Sequence, residues 1–337
     1  MSISRFASSL TSPNKQTGFS LVELMIAIML SLFLTAGLLA VFVSSQRATN
    51  QALGSGERQE NATFALQLLA KDLKQANFFA QATGENKSLW DLNGATIANS
   101  DDCLDDISSG SFPSANKFRP LWASSIPATV GSLKMKCIDD GDSETSLMVN
   151  TDYISIKRVR GFQQESNYSA NRFYLDINTS ALTVYQGDAG ALTSSAVKPV
   201  WEYIHHVYYL DEFEGVNRLR RLTLRESEMV REEVLVEGVE SMQFMFALDA
   251  LIANDRDGSM HSLVGTSQVT ANDWDSGRVI GIKIFLLIKS LEKTVGYTNS
   301  NTYQLGDYSF PVANDNYKRE LVSTVLLFQN SVVLVND

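Results

Sequence analysis

The chain has 337 residues, enough for one large or two modest globular bodies. Its 38 acidic residues outnumber 28 basic ones, for a net charge of −10. Such a balance argues against a non-specific DNA-binding groove, which needs a concentrated positive surface, though it leaves room for a small local basic patch. Residues 1–18 hold Arg5 and Lys15 and no acid. Their positive excess favours keeping this end cytoplasmic while the remainder crosses a membrane. From Leu24 through Gln46, 23 residues pass without a charged side chain. At about 1.5 Å per residue, a helix from Phe19 to Ser45 reaches about 40 Å, which spans a hydrocarbon core about 30 Å thick.

Glu23 is out of place at the head of that run, because a solitary carboxylate there costs several kcal/mol unless it stays near the interface or finds a partner. A secretory peptide is cut after its apolar core, following small residues. Here Gly18 lies before the core, so a cut at Gly18 leaves the helix on the mature protein and gives Phe19 a new α-amine one helical turn from Glu23. A plain signal anchor with Glu23 at the headgroups is the alternative. Removing Arg5 and Lys15 with the leader leaves 26 basic against 38 acidic residues, a net of −12.

The run Gly18-Phe19-Ser20-Leu21-Val22-Glu23-Leu24-Met25-Ile26-Ala27 resembles the class III signal of type IV pilins and type II secretion pseudopilins. The resemblance implies that a membrane-embedded prepilin peptidase cuts after Gly18 and methylates Phe19. It also implies that Glu23 pairs with the N-terminal amine of a neighbouring subunit during assembly. Residue Ala40, at mature position 22, departs from the Pro many major pilins have there, which leaves open whether the anchor melts near Gly37 on assembly.

Past Ser45 the helix is expected to continue to about Ala80. Ala62, Ala65, Leu66, Leu69, Leu73 and Ala76 recur at spacings of three and four, with Phe79 on the same stripe. Glu57, Arg58, Glu60, Lys71, Asp72 and Lys74 form the wet remainder. Gly54 and Gly56 each weaken the interior by about 1 kcal/mol and suggest a bend there. The expected divisions are a leader over 1–18, a transmembrane and assembly helix over 19–45, and an amphipathic helix over 46–82 exported to the periplasm. A loop-rich region over 83–145 and a β-rich body over 146–337 follow.

Residues 83–145 are rich in Gly, Asn, Ser and Asp, interrupted by Pro113, Pro120 and Pro127, a composition suited to long loops. They contain Cys103 and Cys137, the chain's only cysteines. In an exported, oxidising compartment such a pair commonly bridges. Their spacing does not suit a thiol redox pair or a zinc site.

From Ser146 the period becomes that of strands. Candidates are Leu147–Val149, Tyr153–Val159, Arg172–Ile177, Leu182–Tyr185, Glu202–Leu210, Leu219–Arg225, Met229–Val236, Met242–Leu248, Val279–Ile288, Leu321–Leu327 and a final Val332–Val335. In Glu202–Leu210, Tyr203, His205, Val207 and Tyr209 share one face and Ile204, His206, Tyr208 and Leu210 the other. Asp211 to Asn217 reads as a turn, so this strand and Leu219–Arg225 should form an antiparallel hairpin. Without βαβ crossovers the class is α+β: a pilin-like long N-terminal helix whose C-terminal half packs on antiparallel sheet, extended by a disulfide-containing loop region.

Three stretches sharpen the resemblance. Trp201 to Leu210 followed by Leu219-Arg220-Arg221, then Leu235 to Phe244, look like the body of PilW-type minor pilins, which are also similar to J-type pseudopilins of type II secretion. Arg319-Glu320-Leu321-Val322-Ser323 through Leu327-Phe328-Gln329-Asn330 resembles the PilW ending, with Gln329 where that family commonly shows Arg. This implies a low-abundance subunit that primes assembly of a pilus with other minor pilins and sits at its tip. Its expected partners are those pilins, the major pilin, the prepilin peptidase, the inner-membrane assembly platform and the membrane itself; no nucleic acid is expected. A J-type pseudopilin and a pilin-anchored adhesin are the alternatives.

No catalytic residue is expected. His205 and His206 are adjacent on a strand and point to opposite faces, and no nucleophile elbow or phosphate loop is present. No cofactor is expected beyond calcium, for which Asp255 and Asp257 and, separately, Asp139 and Asp142 supply carboxylates. The second of these groups lies among Asp139, Asp140, Asp142 and Glu144. A solvated turn is the competing reading at both places.

Overall fold

The computed structural model describes residues 18–84, 91–94, 103, 118–129, 132–139, 145–177, 181–188, 192, 199–225, 228–252 and 257–330. The expected leader up to residue 17, Asp142, Asp255 and the strand Val332–Val335 lie outside the described residues. By its contacts the chain forms two units, Met1–Leu53 and Gly54–Asp337.

In the first unit the described residues belong to the start of helix α1 (Leu21–Leu73) and the three residues before it, and every one of them is exposed. Phe19 is 90% accessible and Phe33 76%. In the second unit α1 buries Ala62, Ala65, Leu69 and Leu73, the expected stripe, and Ala76 and Phe79 beyond its end are buried too. The helix runs through Gly54 and Gly56 without interruption. It stops at Leu73, short of the expected Ala80. Asn77 takes a left-handed backbone (φ 60°) and its N–H donates to Lys157 O, so the chain leaves the helix to join a strand.

Sixteen strands follow among the described residues. The first eight are β1 (Asp91–Gly94), β2 (Leu121–Ser125), β3 (Thr145–Leu147), β4 (Asp152–Gln164), β5 (Phe173–Ile177), β6 (Ala181–Gln186), β7 (Val200–Phe213) and β8 (Val216–Arg225). Then come β9 (Glu228–Arg231), β10 (Val236–Glu237), β11 (Val239–Leu248), β12 (Ser262–Gly265), the short helix α2 (Ala271–Asp275), β13 (Val279–Lys289), β14 (Tyr303–Leu305), β15 (Tyr308–Phe310) and β16 (Arg319–Leu327). A large sheet runs β1-β6-β5-β7-β4-β2, with β3 and β8 also paired to β7, and β9 and β10 to β8. A second sheet runs β12-β11-β13-β16, and β14 pairs with β15. Every pairing is antiparallel except β1 with β6.

The class is therefore α+β, with the buried half of α1 against antiparallel sheet. β7 and β8 form the expected hairpin, and its turn shrinks to Glu214 and Gly215. Both have positive φ, as the two-residue hairpin turn of right-handed twist requires. The expected strand Met229–Val236 is instead two strands, β9 and β10, parted at residues 232–235. Short elements such as β12, β14, β15 and α2 carry too few residues to show a period.

One core joins the buried stripe of α1 to both sheets, through Ile154, Ile156, Tyr208 and Leu210 of the large sheet and Phe244, Phe246, Ile284 and Leu286 of the smaller one. Both faces of β7 are buried: Tyr208 and Leu210 look into this core, while Val207 and Tyr209 look into a second that holds Trp122, Tyr153 and Cys103.

Candidate assembly site

At the head of α1, Ser20 Oγ accepts from Val22 N–H at 3.3 Å and Glu23 Oε2 accepts from Ser20 N–H at 3.0 Å. Ser20 thus caps the helix start and Glu23 reaches back to its backbone as the acid of a capping box does, satisfying donors a helix start leaves open. Glu23 thus has a partner within its own chain, and the signal was present in the sequence as Ser20-x-x-Glu23. Gly18 and Phe19 are exposed just ahead of it. Among the described residues α1 is the one helix long and apolar enough to cross a membrane.

At its other end α1 is tied down by Asp72, which sequence pattern assigns to the wet face. It is buried instead, because its partners arrive from strands far along the chain. Arg158 Nε of β4 donates to Oδ1 at 2.7 Å, while His206 Nδ1 and the Tyr208 hydroxyl of β7 reach Oδ2 at 2.5 and 2.9 Å. Burial alone would raise the Asp72 carboxyl; the His206 and Arg158 bonds and charges outweigh it and hold the group well below the usual carboxylate range. On the opposite face of β7, His205 Nε2 lies 2.8 Å from Ser155 Oγ.

The end of the chain closes on the same region. Asn330 Nδ2 donates to Ala76 O at 3.2 Å and more distantly to Lys74 O at 3.5 Å, while Asn77 Nδ2 donates to Asn330 O at 2.5 Å. Carbonyls just past the helix end are satisfied this way. Arg319, at the start of β16, donates from Nε and Nη2 to the two carboxylate oxygens of Glu240 on β11, at 2.5 and 2.8 Å, and grips Asp315 at 2.7 and 2.8 Å. Two sequence-distant stretches, Leu235–Phe244 and Arg319–Asn330, meet through that fork.

Residues 13–39 match the model of the prokaryotic N-terminal methylation motif, and residues 207–330 match that of the type IV pilus-assembly protein W family. The chain carries a PilW-family type IV pilin domain. Among solved structures, a type IV-like pilin from Thermus thermophilus is similar at 12% identity over 55% of this chain and 79% of that one, with a TM-score of 0.27. No curated protein matches.

The PilW-family match begins within β7 at Val207, so β4 and the loop bearing the cysteines precede it. Cys103 and Cys137 are joined as a disulfide, with Cα atoms 5.4 Å apart. Cys103 is buried with Trp122, Met135, Ile138 and Tyr153 against the large sheet.

Within the PilW-family region one cluster offers metal ligands. Asp249, Asp257 and His261 each present a ligand atom, all within 4.8 Å of one another. They could coordinate a divalent ion such as calcium, although calcium takes six to eight oxygens and this set provides two carboxylates and an imidazole. Hydrogen bonds within the loop already engage both acids. Asp249 accepts from Ala250 N at 2.7 Å and Gly258 N at 3.1 Å, and Asp257 from Ser259 N at 2.9 Å. The Ser259 bonds hold the Asp257 carboxyl below its ordinary range. Asp257 thus groups with Asp249 and His261, two residues the sequence reading did not place with it; Asp139 is exposed and belongs to no such group among the described residues.

Proposed function

We propose that the chain is a non-catalytic minor pilin that helps to initiate assembly of a type IV pilus. The observation that carries this reading is the presence of a methylation motif and a PilW-family domain in one chain. In this reading the prepilin peptidase cuts between Gly18 and Phe19 and methylates Phe19. The retained helix holds the protein in the bacterial inner membrane with its body in the periplasm, ready to join other minor pilins on the assembly platform and then the major pilin in the fibre, with the subunit at the tip.

Moving Glu23 into a bundle of apolar helices is costly, and meeting the Phe19 amine of a neighbour offsets that cost and sets register. The intrachain bond from Ser20 keeps the carboxylate partnered until then. Mass spectrometry of protein recovered from inner membranes tests the reading, with N-methylated Phe19 expected as the first residue and any other N-terminus overturning it. Deleting the gene should abolish piliation and twitching; loss of enzyme secretion instead would assign the chain to a type II system.

A further inference from the structure

Beside the last turn of α1, the face of the large sheet that carries His206 opens into a groove of about 560 Å3. Lys71 of α1, Arg158 and Arg160 of β4, Arg172 ahead of β5, and Arg221 and Arg225 of β8 line it. Their local counter-ions are fewer. Asp72 takes Arg158, Glu202 is shared by Arg160 at 2.7 Å and Arg172 at 3.2 Å, and Glu232 is shared by Arg221 and, at 3.4 Å, Arg225. Among the described residues six cations face three carboxylates, a surplus of three positive charges on a chain whose net charge is −10. Among the described residues the buried Arg225 Nη1 finds no hydrogen-bond partner. At the mouth, Phe162 is 57% accessible beneath the Arg160 guanidinium, 4.7 Å from its ring.

Concentrating like charges in a partly desolvated cleft raises the free energy of the empty protein, and an anion that enters lowers it. The planar forks of arginine match carboxylates in two-point contact. A nucleic-acid backbone fits poorly: it needs a continuous positive track, and here the positive region is one short groove with two glutamates in its wall on an otherwise acidic chain. We propose that this groove seats an acidic segment of a partner subunit, placing two or three Asp or Glu side chains among the arginines. The partner's identity as a subunit rests on the assembly reading above; the groove's affinity for carboxylates does not.

The test uses the full-length protein in an uncharged detergent, with fluorescein-labelled hexaglutamate as probe and hexaglutamine and an oligonucleotide as comparisons, read by anisotropy at low salt. Hexaglutamate should bind. The double variant Lys71→Gln/Arg160→Gln, which alters two exposed side chains, should weaken it about tenfold while the protein stays folded. Should the double variant unfold, Lys71→Gln alone on the exposed face of α1 should weaken binding about threefold. Binding no better than hexaglutamine, binding indifferent to the variants, or tighter variant-sensitive binding of the oligonucleotide overturns the proposal. The two readings fail separately: a correct Phe19 N-terminus without hexaglutamate binding removes the groove alone, while hexaglutamate binding with another N-terminus removes the subunit assignment alone.

Discussion

Asp72 in the last turn of α1 and Arg158 on β4 form a 2.7 Å ion pair across the seam between the helix and the large sheet. The pair is buried on the acid's side and shares its carboxylate with His206 and Tyr208. Removing one partner of such a pair strands the other charge, at a cost of about 3–5 kcal/mol. Asp72→Asn should therefore lower the melting temperature markedly while leaving secondary structure intact. Because the native carboxyl lies below its unfolded value, its contribution is complete above about pH 4 and is lost as pH falls below that. The gap between wild type and variant should close on acidification; a gap that stays constant from neutral pH to pH 3 would count against the assignment.

Asp152 has the opposite sign. It joins the sheets, accepting from Ser125 Oγ at 2.6 Å, Phe244 N at 2.8 Å and Thr266 Oγ1 at 2.5 Å. Burial nevertheless pushes its carboxyl up to about 6, against the pull of those bonds. Between about pH 4 and pH 6 the native state then holds a proton that the unfolded chain has released, so stability falls as pH rises through that window, by about 3 kcal/mol in all. Asp152→Asn keeps the shape, with its amide turned to donate to Ser125, and carries no charge at any pH. Its advantage in denaturant midpoint over wild type should grow from pH 4 to pH 6 and then level off. Parallel curves would show that Asp152 does not titrate there.

The Cys103–Cys137 bridge spans 34 positions of loop-rich sequence. By the chain-entropy account a closed loop of that size contributes about 3–4 kcal/mol, acting mainly on the unfolded chain. Replacing both cysteines with Ser should lower the melting temperature of the oxidised protein to that of the wild type under reducing conditions. A wild type whose melting is insensitive to reductant would show that the bridge does not form in solution.

What the sequence disclosed depended on period and on proximity. The stripe from Ala62 to Phe79 and the alternation along β7 repeat often enough to reveal which side is buried, and the hairpin of β7 and β8 follows from one turn. Asp72 shows the limit. Its spacing places it among charged neighbours, and Arg158, His206 and Tyr208, 86, 134 and 136 positions away, make it an interior residue. The end of α1 was hidden for a similar reason, since Asn77 leaves the helix to bond with Lys157. The charged groove escaped notice because β4, β8 and α1 each contribute only one or two of its cations.

The N-terminal reading separates into two steps with different chemistry. In the proposed cleavage the peptidase reads Gly18 itself; among the described residues nothing lies within 4 Å of a Cβ added there, so Gly18→Ala should leave the fold alone and act on the peptidase. It should give a larger precursor in membranes; protein of mature size would refute the assigned cut. In the proposed assembly step Glu23 supplies the carboxylate. Glu23→Ala removes the bond to Ser20 N–H, a helix-start contribution of about 1 kcal/mol that a long helix tolerates, and with it the partner for a neighbour's Phe19 amine. That variant should be cleaved normally and reach the membrane, yet enter fibres poorly, as sheared-pilus fractions would report. Glu23→Gln sharpens the point, because its side-chain oxygen can still accept from Ser20 while the charge is gone. If Glu23→Gln assembles as wild type does, the helix cap and not the ion pair is what Glu23 supplies.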